Sequence, residues 1–427
     1  MSATPRDKAQ TARVLAASLA GTSIEFYDFY IYATAASLVF GPLFFPAQSA
    51  SAQLMSSYAT FALAFIARPV GAVVFGHFGD RIGRKATLVA SLMLMGASTV
   101  AIAFLPSFAQ AGVIAPLLLC LLRFGQGFGL GGEWGGAALL AVENAPPGYR
   151  ARFGMFPQLG APVGFILANG FFLLIGLFLS AEDFATWGWR IPFLASAVLV
   201  GVGLWVRLKL TETPAFKAAL EKAPPPRVPL GEVVAKHWPQ IIGGTLGVIA
   251  CFCIYYISTA FALGYGVAHL HYSRTAFLST QLIAILFMAA GIVIAGYWSD
   301  KSSPRMVLMI GCIGAILASL ALAPLMGAQS LLLIGAFLSL MLLLMGFVYG
   351  PLGAWLPSLF PARVRYTGAS LAFNVGGILG GGLTPIIAEQ LVSHGGLANV
   401  GYYVAAAATL SLIGLLALRK SSAAPAN

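Results

Sequence analysis

Gly76-His77-Phe78-Gly79-Asp80-Arg81-Ile82-Gly83-Arg84-Lys85-Ala86-Thr87-Leu88 follows a long apolar run. At an offset of 220 residues, Gly296-Tyr297-Trp298-Ser299-Asp300-Lys301-Ser302-Ser303-Pro304-Arg305-Met306-Val307-Leu308 follows another. Gly, Asp, a base, a second base and Leu recur in register. A repeated basic loop, each copy leaving an apolar run, implies a chain built from two related halves with parallel repeats. The second copy lacks the Gly and the base at Ser303 and Pro304.

The chain around these loops is 59% hydrophobic and 9% charged, with a mean hydropathy of +0.88 over 427 residues. An ordinary soluble domain carries roughly a quarter charged residues, and a spanning helix takes ~20 apolar residues, so this composition fills ~12 spans. The runs are continuous rather than alternating, which excludes an outer-membrane barrel. Predicted helices cover 14–40, 54–78, 86–105, 113–142, 153–179, 190–208, 239–268, 276–298, 306–326, 330–356, 367–392 and 400–418. The expected fold is therefore an all-α membrane protein of twelve transmembrane helices. It divides into a six-helix half at 1–208, a cytoplasmic linker at 209–238 containing Pro224, Pro225 and Pro226, and a second six-helix half at 239–427.

The net charge of +11 is a topology signal rather than a nucleic-acid footprint, and no nucleic-acid partner is expected. With the N-terminus inside, only Arg68, Arg123, Arg190 and Arg274 of the 24 lysines and arginines fall outside cytoplasmic segments. Positive residues stay cytoplasmic, so both termini are expected there. The basic first residues do not make a cleaved leader, because the run after Arg13 is ~30 residues long and holds Glu25 and Asp28.

Several familiar chemistries find no support. Gly127-x-Gly129-x-Gly131-Gly132 fits a dinucleotide pattern but lies within an apolar helix, where Gly-x3-Gly spacing means tight helix packing. There is no Gly-Lys pair for a P-loop. The four cysteines sit in apolar runs without metal spacing, and His269-x-His271 reads as a solvated loop. No cofactor, no metal site and no enzyme activity are expected.

The informative residues are charges inside spans, which are costly to bury and so are functional candidates by default. Glu25 and Asp28 are three apart and share a helix face, which Tyr32 extends. Arg123, Gln126, Leu130 and Glu133 form one stripe on the fourth helix. Arg68 sits in the second. Gln158 and Asn169 line a stripe on the fifth, and Tyr255, Tyr256, Gln281, Tyr349 and Asn374 offer polar groups from the second half. An importer of anions needs a fixed cation and a removable negative charge. Arg123 supplies the first, for a bidentate grip on a substrate carboxylate. Asp28 or Glu25 supplies the second, with Glu133 next, since a carboxyl stripped of water favours its neutral form. The alternative is that these charges only pair with one another to hold helices together.

The loop pattern resembles that of the major facilitator superfamily, and the resemblance runs the whole chain. Glu25-Phe-Tyr-Asp28-Phe-Tyr30, Arg68-Pro-Val-Gly71, Arg123-x2-Gln126-Gly127, Gly131-Gly-Glu133-Trp134-Gly-Gly136 and Trp187-Gly-Trp-Arg190-Ile-Pro192-Phe193 look like the metabolite:proton symporters. Within that group Phe75-Gly-His-Phe-Gly-Asp80-Arg81, Glu133-Trp-Gly-Gly-Ala-Ala-Leu139 and Gly380-Gly-Gly-Leu-Thr384-Pro385 are most similar to the shikimate transporter. The resemblance implies a monomeric carrier in a bacterial inner membrane that imports a small organic acid with protons by alternating access. Importers of zwitterionic osmolytes such as betaine or proline, and efflux antiporters, are the alternatives. It also implies that helices 1 and 4 line the cavity. Gly76, Asp80, Arg81, Arg84, Asp300, Arg68 and Glu143 would then serve gating, with Asp80 bridging the halves near the start of helix 11. Ser358 stands where such proteins often carry an acid. The chain after 418 shows no heptads, which disfavours the osmosensing betaine branch.

Overall fold

The computed structural model describes residues 5–46, 49–82, 84–209, 229–361 and 364–418, with the side chains of 76–88 outside the description. Twelve helical segments run in chain order. They are α1 (Pro5–Leu38), α2 (Ala50–Ile82), α3 (Arg84–Ile102), α4 (Ile114–Leu130, then Glu133–Glu143), α5 (Arg150–Phe178) and α6 (Ile191–Lys209). The second set is α7 (Trp238–Tyr256, then Ala262–Ala268), α8 (Arg274–Lys301), α9 (Pro304–Ser319), α10 (Leu331–Tyr349, then Leu352–Ser358), α11 (Arg365–Gly377, then Thr384–Gly395) and α12 (Leu397–Ala417). Among the described residues nine are long and apolar enough to cross a membrane, Val89–Ile102 and Pro304–Ser319 are shorter apolar helices, and α1 is the remaining segment.

The departures from expected helices have local causes. α4 is interrupted at Gly131-Gly132 and α10 at Gly350-Pro351, where side-chain-free residues and a missing N–H weaken the ladder. α7 and α11 each contain a five-residue π turn, Ile257–Phe261 and Ile378–Gly382. α9 ends seven residues before the expected 326, and Leu322–Met326 continues as a separate turn. The odd residues of the second loop also gain a reason. Ser303 Oγ accepts from Met306 N at 3.2 Å and Pro304 takes the first helical turn of α9, which is a good helix start. Of the expected linker, 210–228 lies outside the described residues and Pro229–Lys236 is a short helix.

Close approach decides the packing of α4. A Cβ on Gly127 would strike the backbone of Ala64, and one on Gly131 that of Arg68. The glycine run is a helix-packing surface against α2, as its spacing suggested.

Both ends of the bundle are tied. At the end bearing the 8–9 loop, Asp300 accepts from Ala151 N (2.9 Å) and Arg152 N (3.3 Å), and pairs with Arg152 Nε at 2.9 Å. A carboxylate at the start of the 29-residue α5 also meets the positive end of that helix. At the other end, Ser37 and Tyr58 both donate to the Ala260 carbonyl of the α7 π turn, at 3.0 and 3.1 Å. The state is occluded.

Candidate functional site

Between the halves lies a narrow cavity walled by Tyr30, Ala33 and Thr34 of α1, Phe165 and Asn169 of α5, Tyr255, Tyr256 and Thr259 of α7, and Gln281 of α8. Its free space is about that of a single water. Tyr30 and Tyr255 stack across the two halves with centroids 5.1 Å apart, and Phe165 stands edge-on to Tyr30 at 6.1 Å. Thr34 donates to Asn169 Oδ1 at 2.6 Å. The π turn frees carbonyls from the helical ladder, and the Gln281 amide donates to two of them, Ser258 O (3.0 Å) and Thr259 O (2.9 Å). No charged residue lines this cavity among the described residues.

The charges stand one layer behind, inside the first half. Arg123 is fully buried, with its guanidinium 4.0 Å from the Tyr32 ring, 4.3 Å from Phe29 and 4.9 Å from Phe61. Its Nη1 donates to Gln126 Oε1 (2.9 Å), and Gln126 Nε2 donates to Thr99 Oγ1 (2.7 Å). Thr99 lies beside Asp28, which accepts from Ser196 of α6 at 2.5 Å. Asp28 is also fully buried. The chain Arg123–Gln126–Thr99 thus runs through neutral groups toward Asp28, while the Thr99 hydroxyl itself donates to the Met95 carbonyl (2.9 Å). Tyr32, expected to contact substrate, donates to Thr60 (2.7 Å) and roofs Arg123.

Other candidates hold helices together. Arg68 donates to Asn374 Oδ1 (3.1 Å), and Asn374 Nδ2 donates to the Gly131 carbonyl (3.1 Å). The Arg68 guanidinium sits among Phe29, Phe65, Phe252 and Phe373, 5.5–5.9 Å from each centroid. Glu25 is buried within electrostatic reach of Arg68. Gln158 accepts from Trp134 Nε1 (3.0 Å) and donates to the Tyr349 carbonyl (3.0 Å). Glu133 accepts from Ser91 (2.5 Å); the break in α4 before it takes it off the line of Arg123. Glu143 is exposed at the end of α4. The side chains of Gly76, Asp80, Arg81 and Arg84 lie outside the described residues.

Of the expected substrate contacts, Asn169, Tyr255, Tyr256 and Gln281 face the cavity; Arg123, Gln126, Tyr32, Gln158, Tyr349 and Asn374 do not line it in this state. Tyr30 and Thr34 were not expected. Their signal is the pattern Tyr30, Ala33, Thr34 at i, i+3, i+4, on the side of α1 away from Asp28. Glu389 was also missed. It is fully buried, one of only two acids after residue 239, and its Oε1 contacts His269 Nε2 at 3.0 Å. His269 is therefore a paired residue rather than a freely solvated one.

The profile of the Major Facilitator Superfamily matches residues 18–385. The chain is 51% identical over 409 residues to the inner membrane metabolite transport protein YhjE of Escherichia coli (strain K12), covering 95% of this chain and 93% of the relative. It is 37% identical to the shikimate transporter of the same organism, covering 96% and 95%. It is 32% identical to the proline/betaine transporter of Salmonella typhimurium, covering 98% and 85%. In fold it is similar to the proton:xylose symporter XylE, with a TM-score of 0.76, 16% identity, and coverage of 97% and 96% of the two chains. These matches put transport in place of catalysis: the chain is a lipid-embedded, multi-pass carrier of small molecules, and it belongs to the Major Facilitator Superfamily, among the metabolite transport proteins.

Proposed function

We propose that the chain imports a small organic acid together with protons, by alternating access of the central cavity. One observation carries this reading: a buried guanidinium, Arg123, reaches through Gln126 and Thr99 toward a buried carboxyl, Asp28. A substrate carboxylate drawn to Arg123 competes with Gln126 for its donors. These neutral groups then carry that change toward Asp28, which holds or releases a proton. Glu25 and Glu133 are the other carboxyls available to this role. The cavity face supplies shape. Tyr30, Phe165 and Tyr255 flank a flat ring, while Asn169 and Gln281 offer amides to hydroxyls, as suits a shikimate-like acid. Arg68 and Asn374 couple the halves, and Asp300 closes the face bearing the 8–9 loop. The orientation follows the charge distribution, with both termini and 209–238 cytoplasmic between halves at 1–208 and 239–427. The transporting unit is taken to be a single chain.

A second reading has its own support. A cavity walled by tyrosines without charge suits a quaternary ammonium group, held against aromatic faces. Uptake of shikimate, dicarboxylates, citrate, aromatic acids and betaine, with and without a protonophore, separates the two. Protonophore-sensitive accumulation of an acid is expected. Accumulation of betaine alone would replace the first reading with the second. Cysteines at 48 and 270 should label from outside intact cells, and cysteines at 150 and 230 should not.

A further inference from the structure

At the end of the bundle opposite the 8–9 loop, three helices from both halves meet on one carboxylate. Glu389 of α11 is fully buried. Ser51 of α2 donates to its Oε1 at 2.7 Å, and His269, at the end of α7, sits at 3.0 Å from the same oxygen. Ser393 joins Ser51 at 3.1 Å. The other oxygen, Oε2, has no hydrogen-bond partner. A buried carboxylate with half its acceptors unmet is costly, and it is tolerated here because a cation can sit beside it. The His269 side chain is 32% exposed and the Glu389 side chain 1%, so protons reach the pair from the aqueous side through the histidine.

We propose that Glu389, His269 and Ser51 form a proton-operated latch that closes this end of the cavity when His269 is protonated. The proposal rests on the alternating-access reading, since the latch spans the two halves through Ser51. Protonated His269 and ionised Glu389 pull α7 and α11 together, with α2 tied in through Ser51. The latch lies on the face expected to meet the outer solution. An acidic exterior therefore closes the outer gate over a loaded cavity. This proton is regulatory: it binds and leaves on one side, apart from the Asp28 layer.

Among the described residues, the titratable neighbours are His271, exposed two residues on in the same loop, several tyrosines and His394. From α2, Tyr58 lies near enough to feel the charge of Glu389, and from α7 Tyr265 does too, stacked on His269 at 4.9 Å. On α12, Tyr403 is engaged with Thr384. His394, on α11 itself, is exposed and turned to the Gln390 carbonyl. Glu389 beside His269 holds the imidazole above the usual histidine pKa. The sign follows: stabilisation of the closed end is complete below the ordinary histidine value and is lost as pH rises through the raised one.

The test uses the full chain in right-side-out membrane vesicles. A reporter Ala33→Cys in the cavity wall is labelled with an impermeant thiol reagent, and its rate is normalised to Ser180→Cys, an exposed position on the same face. The normalised rate should be at least about fivefold higher at pH 8 than at pH 5.5. His269→Gln, which keeps a neutral donor, should remove that pH dependence, and Glu389→Gln should remove it too. A parental ratio retained in His269→Gln, or no pH dependence in the parent, overturns the latch while leaving alternating access intact. Substrate exchange at fixed pH reports on the transport reading separately. A parent that exchanges nothing, with a reporter unreactive from either face, overturns both.

Discussion

In the first half, Arg123 and Asp28 are both fully buried, with Gln126 and Thr99 leading from the one toward the other. The second half has two acids in its 239–427 stretch, Asp300 at one end and Glu389 at the other, and between them it presents Tyr255, Tyr256, Thr259 and Gln281 to the cavity. Buried charge is concentrated in the first half, while both halves share the cavity wall, Tyr30, Phe165 and Asn169 facing Tyr255, Tyr256 and Gln281. Burying an ionisable group demands a fixed set of partners, and a rigid six-helix layer can keep them through the cycle. A neutral wall has no such demand and is free to move over the substrate. The comparison makes a division of labour: coupling by buried charge on the first half alone, recognition by ring and amide shared with the uncharged second half, with Asp300 and Glu389 as locks at the two ends.

The largest test of this division is Asp28→Asn. Each proton carried in excess of substrate charge is worth ~2.3 kcal/mol per 100 mV, which is about a 50-fold accumulation ratio. Asp28→Asn should remove that ratio while leaving substrate exchange between equal pools intact. Accumulation ratios against exchange rates in the same vesicles decide it. If Asp28→Asn and Glu25→Gln both keep full protonophore-sensitive accumulation, the coupling layer is Glu133 and the comparison must be redrawn.

The sequence exposes the coupling charges better than the cavity wall, for a physical reason. A charge in an apolar run stands out whatever surrounds it, so Asp28, Arg123 and Arg68 were visible. The repeated loop and the apolar runs also disclose twelve spans and two halves. Which neighbour covers each face of a helix is a tertiary fact. Tyr32 shares the Asp28 side and roofs Arg123, while Tyr30, two residues earlier, reaches the cavity. The π turns that free the Ser258 and Thr259 carbonyls leave no periodic mark. The His269–Glu389 pair joins residues 120 apart in sequence, so neither residue alone announces it.

The next test is Arg123→Lys. An ammonium keeps the charge but loses the planar fork and the second parallel hydrogen bond. A hydrogen bond to a charged group is worth ~1.5–3 kcal/mol, so affinity for an acid should fall on the order of 10-fold or more, measured as the half-saturation of exchange. Unchanged affinity would move the carboxylate contact to the cavity wall and undo the separation of charge from shape.

The two locks can be set against the repeated loops. The degenerate second copy suggests that Asp80→Asn reduces transport more than Asp300→Asn. Asp300 nevertheless makes three contacts to the start of α5. Asp300→Asn keeps a single acceptor and loses the ion pair with the partly exposed Arg152, a loss of about 1 kcal/mol. That corresponds to roughly a fivefold shift toward opening at this face, read as faster labelling of a cysteine at the buried Met155 from that side. A larger loss of transport from Asp300→Asn than from Asp80→Asn would make the degenerate loop the stronger lock.

The smallest effect belongs to Tyr255→Phe, and it tests whether the second half recognises substrate by more than ring stacking. The ring keeps its stack on Tyr30 at 5.1 Å, so packing is preserved and thermal stability should change little. What disappears is one hydroxyl on the cavity wall. If it meets a substrate hydroxyl, the loss is one neutral hydrogen bond, ~0.5–1.5 kcal/mol, and KM rises about threefold with kcat unchanged. That pattern marks binding shared by ground state and transition state. A substrate lacking hydroxyls should show no difference between Tyr255 and Phe at this position. If KM stays put for every acid while the melting temperature falls, the hydroxyl serves the Tyr30 stack and recognition on this half is carried by Gln281 and Thr259 alone.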